Sequence, residues 1–237
     1  KTILTDLLKQ NIIPLIIGGS QDLTYINYQA YESLNQIINL VAVDSYFDLG
    51  ENEDQLDSHS YLSRIILHQP NFLFNYTNLA FQSYLNDREA VHLMRKLYFD
   101  TIRLGELRSD IREVEPYVRN ADLLSFDISA IRQSDAPANN NVTPNGLYSE
   151  EACQITRYAG LSDKLTSIGF FEYNPLLDNN GQTAKLIAQL IWHFFDGYVN
   201  RKADFPYKEK EDFLKYMVRI ENQEEEIKFY KRKKSDR

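Results

Sequence analysis

Short apolar runs alternate with amphipathic stretches along most of the chain. Residues 12–17 form a β-branched run that ends in Gly18-Gly19, the pattern of a buried strand followed by a tight turn. Residues 22–34 carry apolar side chains at helical spacing, and residues 37–43 read as a second strand ending at Asp44. After an acidic stretch (48–57), Ser58 is placed to cap a helix running to about residue 68. Residues 71–81 alternate as a strand, Asp87 opens a helix to about residue 96, and residues 98–104 predict a further strand. A short helix over 109–119 precedes a strand over 122–128 and an asparagine-rich loop. Ser149 opens the next helix, residues 166–171 form the next strand, and residues 182–198 make a long apolar helix. This rhythm implies an α/β fold, a three-layer αβα sandwich around a mainly parallel sheet.

The pattern changes after Pro206. Tyr216, Val218 and Ile220 alternate, residues 223–226 read as a turn, and Ile227 and Phe229 alternate again, which predicts an appended β-hairpin. The expected division is therefore residues 1–205 as the α/β domain and 206–237 as an extension ending in a basic tail. Five of the last seven side chains are basic, yet the whole chain of 237 residues has a net charge of −8, a poor match to a general nucleic-acid binder. No apolar run approaches the length of a membrane span, so no membrane or nucleic-acid partner is expected, and the expected location is the cytoplasm. A single cysteine, Cys153, excludes a disulfide framework and a Cys-rich metal site. Only four histidines are present. Sixteen tyrosines hint at an interface, hence at a homo-oligomer or a protein partner. Lys1 follows neither a methionine nor a signal-like stretch, so the chain reads as an excerpt of something longer.

In a parallel sheet, ligands sit beyond the carboxyl ends of the strands. Those ends carry residues 18–22, Asp44 and Asp48, Asp127 and Ser129, and Glu172. Convergent carboxylates repel unless a cation, a basic side chain or a proton relieves them, so one reading is a divalent-metal site with hard oxygen ligands. The other is ordinary strand-end and cap aspartates.

The same segments resemble the arginase/agmatinase/formimidoylglutamase (ureohydrolase) family. Residues 14–22 (PLIIGGSQD) resemble its strand leading into Gly-Gly-Asp-His-Ser, and Asp44-Ser45-Tyr46-Phe47-Asp48 resembles its Asp-Ala-His-x-Asp. Ser125-Phe126-Asp127-Ile128-Ser129 resembles Ser-Phe-Asp-x-Asp, and Glu172-Tyr173-Asn174-Pro175 with Asp178 resembles Glu-x-Asn-Pro-x-x-Asp. Ser58-His59-Ser60 falls near a family Ser-His-Gly, and Thr143-Pro144-Asn145-Gly146-Leu147 near its Thr-Pro-x-Gly-Gly-Leu. The resemblance implies further strands upstream of Lys1. It also implies a dimanganese centre whose bridging hydroxide attacks an amidine or guanidine carbon.

Carried over by position, Asp44, Asp48 and Asp127 match metal ligands. Gln21 and Tyr46 stand where the resemblance implies histidine, and Ser129 where it implies aspartate. The expectation is no metal or one weakly held Mg²⁺ or Mn²⁺, and a binding role without hydrolysis; the alternative is a divergent amidine hydrolase using one metal or a rearranged site, the only reading under which two manganese ions are expected. In that alternative, His59 is a proton shuttle and Glu172 a carboxylate for the substrate cation. Arg132, standing where the resemblance implies an aspartate, or a nearby Lys or Arg, is expected to supply positive charge to the remaining carboxylates.

Overall fold

The structure, a computed structural model, describes residues 1–50, 56–202, 213–219 and 226–232. The chain divides into two compact units, Lys1–Asn200 and Arg201–Arg237.

Six strands build the first unit: β1 (Leu15–Ile17), β2 (Ile38–Val43), β3 (Leu73–Phe81), β4 (Asp100–Arg103), β5 (Leu123–Asp127) and β6 (Ser167–Phe171). They pair in the order β1-β6-β5-β2-β3-β4, every neighbour parallel. The helices are α1 (Thr2–Lys9), α2 (Leu23–Glu32), α3 (Tyr61–Leu67), α4 (Arg88–Lys96), α5 (Leu104–Ser109), α6 (Glu115–Arg119), α7 (Ser149–Leu161) and α8 (Gln182–Val199).

Successive side chains of a strand point to opposite faces, so the sheet separates two cores. Val41 and Val43 of β2, Leu124 and Phe126 of β5, and Ile168 and Phe170 of β6 share one core. Leu104 and Leu107 of α5, Val118 of α6, Ile155 and Ala159 of α7, and Leu190 and Phe194 of α8 complete it. Ile38, Leu40 and Ala42 of β2 face the other core, with Tyr28 and Tyr31 of α2, Leu62 and Ile65 of α3, and Met94 of α4. This is the predicted three-layer αβα arrangement. Helices α7 and α8 approach so closely that a Cβ on Gly160 would lie 2.1 Å from the Phe194 carbonyl oxygen.

Several strands are shorter than the sequence reading, β1 starting at Leu15 rather than residue 12, and three helix boundaries differ for a local reason. Ser60, not Ser58, precedes α3, so the helix starts later than expected. Leu104 leaves the predicted strand and opens α5, whose start is held by the Arg103 N–H donating to the Glu106 carboxylate at 3.1 Å. The helix expected over 109–119 is a 3₁₀ turn, Ile111–Val114, followed by α6; the Asp110 side chain accepts from the Arg112 N–H at the start of that turn.

The topology locates a crevice. From β2 the chain continues to β3 on one side, and from β5 it continues to β6 on the other. Adjacent strands that lead in opposite directions leave a gap between their following segments, the topological switch point where open parallel sheets bind ligands. The carboxyl ends of β2 and β5 carry Asp44 and Asp127.

The second unit contains the predicted hairpin, β7 (Phe213–Arg219) paired antiparallel with β8 (Glu226–Arg232). Ile220, most of the predicted turn, and residues 233–237 of the basic tail lie outside the described residues.

Candidate functional site

Asp44 follows β2 and is fully buried. Its Oδ1 accepts the Tyr46 N–H at 2.8 Å, while Oδ2 is buried with no hydrogen-bond partner. Asp48 lies four residues on, in the left-handed region (φ 52°), with its Oδ2 likewise buried and unpartnered. Its Oδ1 is 3.4 Å from His59 Nδ1. Asp127 ends β5 and is also buried; the backbone N–H and the hydroxyl of Ser129 donate to its two oxygens, each at 2.6 Å.

Burial pushes all three carboxyls well above the ordinary carboxylate range. For Asp44 the charge of Asp48 adds to burial, and for Asp127 that of Asp44. For Asp48 burial also leads, with Asp127 and Glu172 adding to it. The causes are desolvation and like charge, the two effects that make a carboxylate hold its proton.

The remaining predicted residues sit around this group. The Gln21 N–H donates to Glu172 Oε1 at 2.8 Å, which ties the loop after β1 to the end of β6. Glu172 is in the left-handed region (φ 63°), and its N–H donates to the Gly19 carbonyl. The side chain of Gln21 is buried, and Nε2 donates to the Tyr61 hydroxyl at 3.3 Å and to Ser125 Oγ at 3.2 Å. Thr24 Oγ1 is 2.7 Å from the same Ser125 oxygen. The Tyr46 ring stands edge-on to His59, centroids 5.9 Å apart. His59 lies before α3 rather than within it, with its side chain 54% exposed.

Tyr46, Asp48, His59, Asn86, Asp87 and Asn141 help line a cavity of about 760 Å³. Sequence reading missed Tyr61, Thr24, Asn86 and Asn141. Tyr61 carried the one available signal: a tyrosine on the apolar face of a helix needs a buried partner for its hydroxyl.

Arg132 corrects an expectation. Its Nε donates to Asp135 at 2.8 Å and its guanidinium lies 4.2 Å from the Tyr148 ring centroid. Arg108 lies 4.3 Å from the same centroid and pairs with Glu151 at 3.3 Å. The loop that carries Arg132 is bridged to Leu147, where the Arg132 N–H donates to the Leu147 carbonyl at 3.1 Å. That pairing aims the guanidinium at Asp135 and Tyr148. Among the described residues no ion pair or hydrogen bond joins it to Asp44 or Asp127.

The donor set does not fit a pair of manganese ions. Imidazole is absent from both positions where the resemblance implies it. The Gln21 amide is committed to Tyr61 and Ser125, and the Ser129 hydroxyl donates into the carboxylate beside it. Among the described residues no group of three or more His, Cys, Asp or Glu side chains is arranged to hold a metal ion. No helix among them is long and apolar enough to cross a membrane.

Comparison with known proteins places this geometry. The formimidoylglutamase of Staphylococcus haemolyticus (strain JCSC1435) is 27% identical over 199 residues, covering 79% of this chain and 62% of that protein. The chain thus spans about three-fifths of the length of this relative. In structure, the formimidoylglutamase of Bacillus subtilis superposes with a TM-score of 0.76 at 20% identity, over 85% of this chain and 66% of that one. A Trypanosoma cruzi formiminoglutamase solved with Mn²⁺ gives 0.78 at 19% identity, over 84% and 70%. The Arginase family model matches residues 1–196. With the switch-point crevice and its strand-end acids already in place, this match settles the lineage: the chain belongs to the arginase family.

Proposed function

We propose that this chain is a non-hydrolytic member of the arginase family, which keeps the crevice for binding and lacks the means to generate a metal-bound nucleophile. One observation carries the reading. Where the resemblance implies metal ligands, Gln21 and Ser129 are hydrogen-bond donors already satisfied by protein groups. Amide and hydroxyl are weak ligands for a hard divalent cation beside imidazole and carboxylate. Without a metal pair, water keeps a pKa near its bulk value of about 15.7, and attack on an amidine carbon lacks its nucleophile.

The polar lining of the cavity supports a binding role. Asp48 and Asp87 line the cavity with Asn86 and Asn141, and His59 stands at its exposed side. This lining suits a small cation with several N–H donors, such as an amidine or guanidine.

The test is an assay of the purified chain, with manganese supplied, on formimidoylglutamate, arginine and agmatine. No turnover above background is expected. Manganese-dependent hydrolysis of any of the three would overturn the reading.

A second reading has its own support. The buried, unpartnered Oδ2 atoms of Asp44 and Asp48 suit one hard cation held with waters, which would make the chain a divergent amidine hydrolase. It requires hydrolysis in the same assay and one ion bound per chain.

A further inference from the structure

The hairpin has two unlike faces. In its register Leu214 lies opposite Lys231, Tyr216 opposite Phe229, and Val218 opposite Ile227. Directly opposed residues of an antiparallel pair project to the same side, so these six share one face. Five of them are large and apolar, and each is between 44% and 53% exposed. The other face is mixed: Phe213, Lys215, Met217 and Arg219 of β7 share it with Lys228 and Tyr230 of β8, so three cations stand among its apolar side chains. A two-stranded hairpin is marginal in water by itself and needs a cover for its apolar side.

We propose that the face of Leu214, Tyr216, Val218, Ile227 and Phe229 is a homodimer contact, in which the hairpins of two copies pack face to face about a two-fold axis. The charge and the area of this face point to a second copy as the occupant. The face is apolar throughout except for Lys231, and it carries no acidic side chain that would select a cationic partner. Two copies match apolar rows across a sheet-on-sheet spacing of about 10 Å and leave Lys215, Arg219 and Lys228 turned outward to water.

The area is also appropriate. Five large side chains at about half exposure offer roughly 450 Å² per copy and ~900 Å² per pair, the size of a weak, exchanging interface rather than an obligate one. A lipid surface fits less well. A bilayer seated on the apolar face would have the three cations directed away from its headgroups, opposite to the arrangement that anchors amphipathic elements.

Sedimentation equilibrium of the full chain from about 1 to about 200 μM tests this, with a monomer–dimer equilibrium expected in the micromolar range. Phe229→Lys and Tyr216→Lys should weaken the dimer at least tenfold, whereas Met217→Lys and Tyr230→Lys on the opposite face should leave it within twofold. A lysine can also unfold a hairpin, so crosslinking supplies a second arm. In a Cys153→Ala background with an added disulfide oxidant, Val218→Cys should give covalent dimers and Met217→Cys should not. Three results would overturn the proposal: a monomer over the whole range, an oligomer whose mass and crosslinking ignore which face is changed, or a monomer that binds anionic vesicles through Phe229.

Discussion

Two groups of carboxylates in the first unit are held in opposite ways. Asp135 and Asp178 are compensated. Burial would raise Asp135, but Arg132, the Ser149 N–H and Ser134 outweigh it and bring its carboxyl below the usual range. Asp178 is likewise lowered against the effect of burial, by the N–H groups of Ala184 and Thr183 at the start of α8 and by the Tyr173 hydroxyl. Asp44, Asp48 and Asp127 are more deeply buried and each raises another of the three; among the described residues no Lys or Arg forms an ion pair with them, and His59 Nδ1 lies 3.4 Å from Asp48 Oδ1. Folding energetics favour the first arrangement and oppose the second. The crevice acids are therefore only partly offset, by the donors of Tyr46 and Ser129, against burial and mutual repulsion.

The contrast can be broken from either side. The largest effect is expected at the clamp holding Arg132. A Cβ on Gly146 would lie 2.4 Å from the Arg132 backbone nitrogen and 2.6 Å from the Ile131 carbonyl carbon, both immobile atoms. Gly146→Ala should cost more than about 3 kcal/mol in urea unfolding.

Next, Tyr148→Ala removes the ring under both Arg108 and Arg132 and should cost about 2 kcal/mol. In the crevice the sign reverses. Asp44→Asn keeps an acceptor for the Tyr46 N–H and removes a carboxyl that the fold must either bury charged or hold protonated, so it should stabilise the fold at pH 8 by about 1–3 kcal/mol. A carboxyl raised in the fold contributes stability that is full below its unfolded pKa and lost as pH rises toward the folded value. The advantage of Asp44→Asn should therefore shrink as pH falls toward about 4, the unfolded pKa of aspartate.

The smallest effect belongs to Asp178. Asp178→Asn should cost about 1 kcal/mol at pH 7, because it weakens the acceptor for two helix-start N–H groups. A depressed carboxyl stabilises above its unfolded pKa and loses that contribution as pH falls through the folded one, so this difference should vanish in acid. Chemical denaturation across pH reads both curves.

Much of the fold and the site was legible because strand ends are marked locally. A β-branched run closed by Gly18-Gly19, or by Asp44 or Asp127, shows both the strand and where its carboxyl end points. The boundaries at α3 and α5 were less legible, since Ser58 and Ser60 are equivalent as cap types and Leu104 suits a strand as well as a helix. Partner choice was least legible. Arg132 lies close to Asp127 in sequence, yet the pairing of its loop with Leu147 directs it to Asp135. The contact between the Gln21 N–H and Glu172 joins residues 151 positions apart, and it follows from β1 and β6 being neighbours, which no local pattern encodes.

The most direct test of the central claim is a calorimetric titration of manganese into the purified chain, beside the triple variant Gln21→His/Tyr46→His/Ser129→Asp. No tight two-ion isotherm is expected for the natural chain, and manganese binding is expected to appear in the variant. Tight binding of two ions per chain by the natural protein would contradict it.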